Sequence, residues 1–504
     1  MSLHSTPPAP ALPGLRLSLS TLGTAIFLAG CAQLPELGTT PQPKPAAAFQ
    51  SSASLAAPSA DWPAEQWWTA YGDAQLNALI DEALADAPDL AAAAARLQRA
   101  DAVLQITGAA NKPQVSANAS VSGDKLSYNH LIPRSPATEG LNDYGRATLD
   151  VRWELDFWGK NRAALAAATS EVEASRAELA QARLWLAASV AAHYAELSHL
   201  YANRDTAARA LAIRQETAQL FAQRFEHGLE TRGGLRNAQA RRAMAEGELL
   251  ALDEQIALQR NRLAALLGAG PDRGQAIARP TLVLDRAFGL PAELAADLLG
   301  RRPDVVAARL RAQALASRIE QQKAAFYPNV NLSAFLGVQS LGLDMLAKGG
   351  SGIASVGPAI SLPIFSAGRL QGELRGAHAN YAEAVARYNA IVARALQEVA
   401  DNAVSQKALG QRLLTAQEAV DAATEAHRVA SQRYAGGLAS YLEVLAAEDS
   451  LLGTLSAQTH LRAASIALDV GLQRALGGGY HTASAAPTTA LSATATPRLA
   501  QAAP

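Results

Sequence analysis

The sequence predicts a mainly α-helical chain with a membrane β-barrel portion, built as two tandem copies. Three observations carry that expectation. The first is strict period two after Gly145: Ala147, Leu149, Val151, Trp153, Leu155 and Phe157 alternate with Arg146, Thr148, Asp150, Arg152, Glu154 and Asp156. One apolar and one charged face over about ten residues is the pattern of a strand crossing an outer membrane within a barrel. The second is a helical period behind that strand. With no proline between Ala137 and Gly270 it holds for roughly seventy residues, about 100 Å of helix, far longer than globular domains use. The third is repetition. Pro88-Asp89-Leu90 recurs as Pro303-Asp304-Val305, and Ala110 to Val115 as Ala325 to Val330, at an offset of 215. Gln223-Arg224-Phe225 with Gly228-Leu229 recurs as Gln432-Arg433-Tyr434 with Gly437-Leu438, and Leu266-Leu267-Gly268 as Ala475-Leu476-Gly477, now at 209.

The chain begins with an address. Arg16 precedes the apolar run Leu17 to Ala29, too short to span a bilayer and flanked as a cleaved segment is, so 1–30 is a signal peptide. Leu28-Ala29-Gly30-Cys31 resembles a bacterial lipobox, and the resemblance implies that Cys31 becomes the lipidated first residue of the mature protein. Ala32, in place of aspartate, implies by the same resemblance sorting to the outer membrane. Cys31 is the only cysteine, so no internal disulfide and no cysteine-based metal site is expected. Residues 31–60, rich in Pro, Ala, Ser and Thr, are expected to form a flexible tether, and 478–504, of like composition, a disordered tail.

Between these ends lie a first repeat (61–268), a linker or equatorial segment (269–291) and a second repeat (292–477). Each opens with a helix, Asp73 to Asn111 and Glu293 to Tyr327, that stops at a proline. A first strand follows: Gln114, Ser116, Asn118, Ser120 and Ser122 alternate with small apolar residues, as Asn329, Asn331 and Ser333 do with Val330, Leu332 and Ala334. Loops are expected from Asp124 to Tyr144 and from Leu341 to Ser351, then the second strand, of which Ile353 to Phe365 is the weaker version. The long helix, a turn at Gly228 or Gly436-Gly437, and a return helix ending near Gly268 or Gly477 complete each copy.

Four strands cannot close a barrel, and open edges are prohibitively costly in lipid, so several chains must share one. Polar faces then line a water-filled lumen, with Arg146, Asp150, Arg152 and Glu154 from the second strand, while Trp153, Phe157, Trp158 and Phe365 fall where an interfacial aromatic girdle is expected. In the long helix Leu165, Val172, Leu179, Leu186 and Leu200 share one heptad register, His193 filling the remaining slot, with Val190, Leu197 and Leu211 in companion positions. Tyr381, Val385, Tyr388, Val392 and Val399 keep the same spacing in the second copy, so the long helices are expected to pack as antiparallel coiled coils.

Composition excludes other classes. Hydrophobic residues make up 49% but aromatics only 5%, which favours close-packed helices over a bulky core. Net charge is −1 without a run of like charges, against nucleic acid as a partner. His193, Glu196 and His199 have a metal-like pattern, but residues six apart lie about 240° round a helix and cannot face one ion. No nucleotide-binding glycine loop or nucleophile elbow is present. The chain is expected to be no enzyme and to carry no metal or cofactor.

Several blocks together resemble the TolC family of outer-membrane factors, in its NodT-like efflux lipoprotein branch. They are Trp67-Trp68 with Tyr71-Gly72-Asp73; Trp153-Glu154-Leu155-Asp156; Arg301-Arg302-Pro303-Asp304-Val305; Pro363 with Gly368-Arg369; and Arg433-Tyr434 with Gly437 and Tyr441 to Leu445. The resemblance covers about Trp67 to Leu476. It implies a homotrimer with a twelve-stranded barrel and a periplasmic helical tunnel, the passive exit duct for small toxic molecules in a tripartite system. Its partners would be a periplasmic adaptor and an inner-membrane pump of the proton-driven RND type. By the same resemblance Gly228, Leu229, Gly437 and Leu438 mark the tip where adaptors dock, and Tyr434 and Glu443 match gate positions. The family usually has an acidic residue where this chain has Ala446 and an arginine where it has Asp449. Either Glu443, Glu448 and Asp449 supply the gate's acidic ring, or the gate is weaker here. A duct for polypeptide secretion and a periplasmic scaffold without a pore are the rival expectations, and the transported substrate is not legible.

Overall fold

The computed structural model describes residues 35, 37–125, 127, 129, 135–136, 139–284, 288–292 and 294–481; the signal segment, Cys31 and 482–504 lie outside the described residues. In chain order the elements are α1 (Ala74–Asp86), α2 (Pro88–Ala109), β1 (Gln114–Asp124), β2 (Asn142–Leu155), α3 (Lys160–Glu226), α4 (Arg232–Leu266), the short α5 (Pro271–Gln275), α6 (Leu294–Arg301), α7 (Pro303–Ala324), β3 (Asn329–Leu341), β4 (Gly352–Ser361), α8 (Arg369–Ala435) and α9 (Tyr441–Ala475). The repeat holds element by element: α3 and α8 each have 67 residues, and α4 and α9 each have 35. β3 opens 215 residues after β1 and α8 opens 209 after α3, so the shift in offset falls within the hairpins.

Four details differ from expectation. The opening helix of each copy is two helices. Ala87 leaves the helical region (ψ 125°) because the ring of Pro88 crowds the residue before it, and Pro303 likewise begins a new helix after Arg301. β2 begins inside the expected loop, and β4 stops at Ser361, short of Pro363, which cannot donate to a ladder. In the stretch expected to be a free tether, Ala46–Phe49 form a 3-10 turn and the Ala60 N–H donates to the Leu290 carbonyl at 3.0 Å. In the expected tail, the Gly478 N–H closes the end of α9 on the Gln473 carbonyl at 2.9 Å.

The chain divides into two compact units. One holds Ala95–Arg176, Ala307–Asn389 and the described residues up to Pro43; the other holds Lys44–Ala94, Ala177–Val306 and the described residues from Ala390 onward. In the first, a four-stranded antiparallel sheet runs in the order β1-β2-β3-β4. Phe326, Ile319, Leu370, Leu374, Tyr381 and Val385 form a separate cluster among its helices. In the second, Trp67, Tyr71, Leu76, Leu79 and Ile80 pack with Leu186, Val190, Tyr194, Leu197, Leu263, Leu267 and Ile277. Most expected seam residues are buried, Val172, Val190, Leu197 and Leu200 in α3 and Val385, Val392 and Val399 in α8 among them. Gln259 of α4 donates to the His193 carbonyl of α3 at 2.7 Å, and Arg204 meets Asp253 at 2.5 Å, so the two helices run antiparallel.

Asp73 fastens this second core. Its carboxylate caps α1 through the Gln75 and Leu76 N–H groups and accepts from the Tyr194 hydroxyl at 3.0 Å and the Thr281 N–H at 2.8 Å. Burial alone would raise its pKa; the hydrogen bonds from Thr281, Leu76 and Tyr194 outweigh it and hold the carboxyl below its usual range.

Candidate functional site: a two-faced sheet and a charged helical tip

In register, the sheet sorts its side chains by polarity. Val115, Val151, Ala334 and Val356 form one row across the four strands, Ala117, Leu149, Leu336 and Ala354 the next, and all point to one side. This side stays open: Val356 is 75% exposed and Leu336 62%. On the other side Ser120, Arg146 and Gln339 share a row, as do Ser116, Asp150, Phe335 and Ser355, and Gln114, Arg152 and Ser333. Arg146, Asp150, Arg152 and Glu154 therefore share one face. Asp150 accepts from Asn118 and Thr148, each at 2.8 Å, Glu154 pairs with Lys160 at 2.9 Å, and the Arg146 guanidinium covers the Phe335 ring at 5.2 Å. The outer edges of β1 and β4 have no strand partner among the described residues. No helix among the described residues is long and apolar enough to cross a membrane.

Where strands give way to helices, aromatic side chains collect. Trp158 stacks on Tyr327 at 4.8 Å and donates to the Pro328 carbonyl at 2.8 Å, while Trp153 donates to the Asn111 carbonyl at 3.2 Å. Phe157 and Phe365 project outward, Phe365 at 90% exposure. Amphipathic rings with one anchored polar atom suit a membrane–water boundary.

The other site lies in the second unit, where α3 turns into α4 and α8 into α9. Both turns are Schellman caps: Leu229 N–H reaches the Arg224 carbonyl and Leu438 N–H the Arg433 carbonyl, each at 2.8 Å, with Gly228 at φ +71° and Gly437 at φ +74°. The leucines beyond are left outside, Leu229 at 67% and Leu438 at 74% exposure. Beneath the turns Phe221 packs on Tyr441 at 4.4 Å, Tyr441 on Tyr434 at 5.7 Å, and Arg224 lies over Tyr434 at 5.5 Å. Glu443 is the N3 residue of α9; it accepts from the Ser440 N–H at 3.2 Å and lies 3.6 Å from Arg433.

Asp449 occupies the position the sequence could not interpret. It accepts from Arg214 of α3 at 3.4 Å and from Arg241 of α4 at 3.3 Å, so a single α9 carboxylate clamps both helices of the other hairpin. Glu448, one residue earlier, is only 2% exposed and 3.5 Å from Arg214. Burial pushes its pKa up; Asp449 adds to this, while Arg214 and His427 oppose it. The sign follows from proton uptake: with the folded pKa above the unfolded one, the folded state gains stability as pH falls through the folded pKa and loses it as pH rises. Glu448→Gln is therefore expected to melt higher than the parent at pH 7, with the difference closing in acid as the parent Glu448 takes up its own proton. Melting curves across that range check it.

The two histidines of the metal-like pattern face different helices. His193 Nδ1 lies 3.0 Å from Gln259 of α4, while the His199 ring meets His460 of α9 edge-on at 5.3 Å. Burial lowers the pKa of each. No group of three metal-ligating side chains occurs among the described residues.

A family model described as Outer membrane efflux protein matches residues 79–269 and 294–478, one block in each repeat. The fusaric acid resistance protein FusA of Burkholderia cepacia is 36% identical over 378 residues, covering 74% of this chain and 71% of that one. The multidrug resistance outer membrane protein MdtP of Escherichia coli K12 is 30% identical over 472 residues, 92% of this chain and 96% of that one. Among solved structures, the outer membrane protein VceC of Vibrio cholerae superposes with a TM-score of 0.79 at 45% identity, covering 83% of this chain and all of that one. The outer-membrane channel OprN gives the same TM-score at 28% identity, covering 88% of this chain and 98% of that one.

Proposed function

The chain belongs to the outer membrane efflux protein family, and from that premise we propose that it is the exit duct of a tripartite efflux system for small toxic molecules. As an outer-membrane efflux channel it conducts passively, and the energy comes from its partners. In this proposal they are a periplasmic adaptor docking at Gly228, Leu229, Gly437 and Leu438, and an inner-membrane pump of the proton-driven RND type. Three chains close a twelve-stranded barrel by pairing the free edges of β1 and β4, with Arg146, Asp150, Arg152 and Glu154 toward the lumen. Cys31 anchors the mature chain by its lipid; a Cys31→Ser chain lacking the acyl mass tests that. Relatives named for drug and fusaric acid resistance support small molecules over polypeptide as cargo. The sheet with one apolar and one polar face supports a pore over a scaffold.

The gate is proposed at the tip, with Tyr434, Glu443, Glu448 and Asp449 in different parts. Glu443 shapes the turn, Tyr434 packs it, and the Asp449 clamp on Arg214 and Arg241 holds the two hairpins of one chain together. The observation that carries the function is the family match over both repeats; the experiment is single-channel conductance of the purified protein in a planar bilayer. Asp449→Asn removes two partly exposed ion pairs, together worth about 0.5 kcal/mol per chain; over three chains opening in concert that is about tenfold in the opening equilibrium. Conductance that is small in the parent and rises by that factor in Asp449→Asn supports the duct and the gate. A trimer that conducts freely from the start removes the gate and keeps the duct. A protein that never conducts removes both.

A further inference from the structure

The outer loop of the second copy folds over the apolar side of the sheet. β2 keeps its alternation throughout, so Asp143, Gly145, Ala147 and Leu149 project to the same side, the apolar one. At that end Asp143 draws in the β3–β4 loop: its carboxylate accepts from the Leu343 N–H at 2.8 Å and its carbonyl from the Gly342 N–H at 2.7 Å. Leu343–Met345 form a 3-10 turn, closed from behind by the Ser351 hydroxyl, which donates to the Met345 carbonyl at 2.8 Å. Gly145 makes the space. A Cβ there would meet Leu343 Cδ2 at 2.8 Å and Leu346 Cδ2 at 3.3 Å. On β1, Gly123 does the same for Leu141, whose Cδ1 lies 3.7 Å from a Cβ built at that glycine. Three leucines thus lie over two glycines on the apolar side; Leu346 is partly buried, while Leu141 is 76% exposed, Leu343 39% and the adjoining Met345 41%.

We propose that Leu141, Leu343, Met345 and Leu346 form a lipid-contact pad that seats among the acyl chains of the membrane's external leaflet. The inference rests on reading the apolar side as lipid-facing. The hairpin loops lie at the end of the sheet opposite the helices, which places the pad outside when the helices are periplasmic. Hydrocarbon is the occupant because the leucines of the pad continue the exposed apolar rows of the sheet, Val121 next to them being 68% exposed. Of the two acids here, Asp143 turns its carboxylate onto the loop backbone, and Asp344, between Leu343 and Met345, is paired with Lys348 at 3.0 Å.

The test uses the full chain in liposomes with a nitroxide at Met345→Cys, compared with Leu149→Cys on the sheet's apolar side and Arg152→Cys on its polar side. The parent chain measures any background from Cys31. Collisions with oxygen and with a water-soluble nickel chelate are read by power-saturation EPR. The expected result is oxygen exceeding chelate several-fold at 345, as at 149, with the reverse at 152 and a shallower depth at 345 than at 149. Chelate dominating at 345 while 149 stays oxygen-rich overturns the pad and leaves the barrel reading intact. Exclusion of both probes at 345 means that a neighbouring protein surface covers it, which also overturns the proposal. Chelate dominating at 149 removes the lipid-facing reading itself.

Discussion

Arg302→Leu is expected to lower the stability of the second unit by about 2–4 kcal/mol, read as an earlier midpoint in heat or denaturant for the detergent-extracted protein. Arg302 is 6% exposed, and its guanidinium grips both oxygens of Asp304, at 2.7 and 3.0 Å, and reaches Glu398 of α8 at 2.8 Å and the Ala475 carbonyl at the end of α9 at 3.3 Å. Burial pulls its pKa down, and the two carboxylates more than reverse that, so it stays charged. Removing one partner of a buried ion pair costs about 3–5 kcal/mol because the other charge is stranded. Asp304 and Glu398 are 28% and 29% exposed and recover some solvation, which brings the estimate down. Arg302→Lys keeps the charge but cannot fork, and is expected to fall between. Arg387→Leu is the control: its pair with Glu383 is 75% and 58% exposed and its loss should move the midpoint little. Equal shifts for the two leucine variants would show that the Arg302 network holds nothing in place.

Gly477→Ala is expected to cost about as much, for a steric reason. Gly477 sits at φ +91° just beyond Leu476, the C-cap of α9, and a Cβ there would lie 2.0 Å from the Arg301 carbonyl oxygen. Backbone cannot rotate out of the way as a flexible side chain can. Left-handed strain of about 1–2 kcal/mol therefore adds to an overpacking cost of about 1–3 kcal/mol. Gly228 separates the two terms: at φ +71° it has open space around it, so Gly228→Ala should cost the strain alone. If both variants melt alike, the close approach to Arg301 contributes nothing.

What could be read from the residues in order was whatever depends on neighbours in the chain. The alternation after Gly145 defined a two-faced strand because successive side chains must point to opposite sides, and the sheet's rows keep that sorting across all four strands. The heptad positions of α3 and α8 announced buried seams for the same local reason. So did the glycines at 228 and 437, since a helix that ends in a left-handed residue needs one. Even the break at Ala87 was available in Pro88, though the continuous apolar pattern masked it. Pairings over long separations were not legible. Asp449 looked like a departure from a pattern until α9 was packed beside α3 and α4, which bring Arg214 and Arg241 to it from more than 200 residues away. Glu448 and Asp449 adjoin in sequence, yet one is buried and the other half exposed, because successive residues on a helix turn about 100° apart and only packing decides which faces inward. The glycines at 123 and 145 likewise gained a meaning only when the leucines that fill their spaces were in position. Local periodicity determines which elements form and which side of each is apolar; the partner that meets a given charge or fills a given gap is set by tertiary packing, where loops and helix register bring distant residues together.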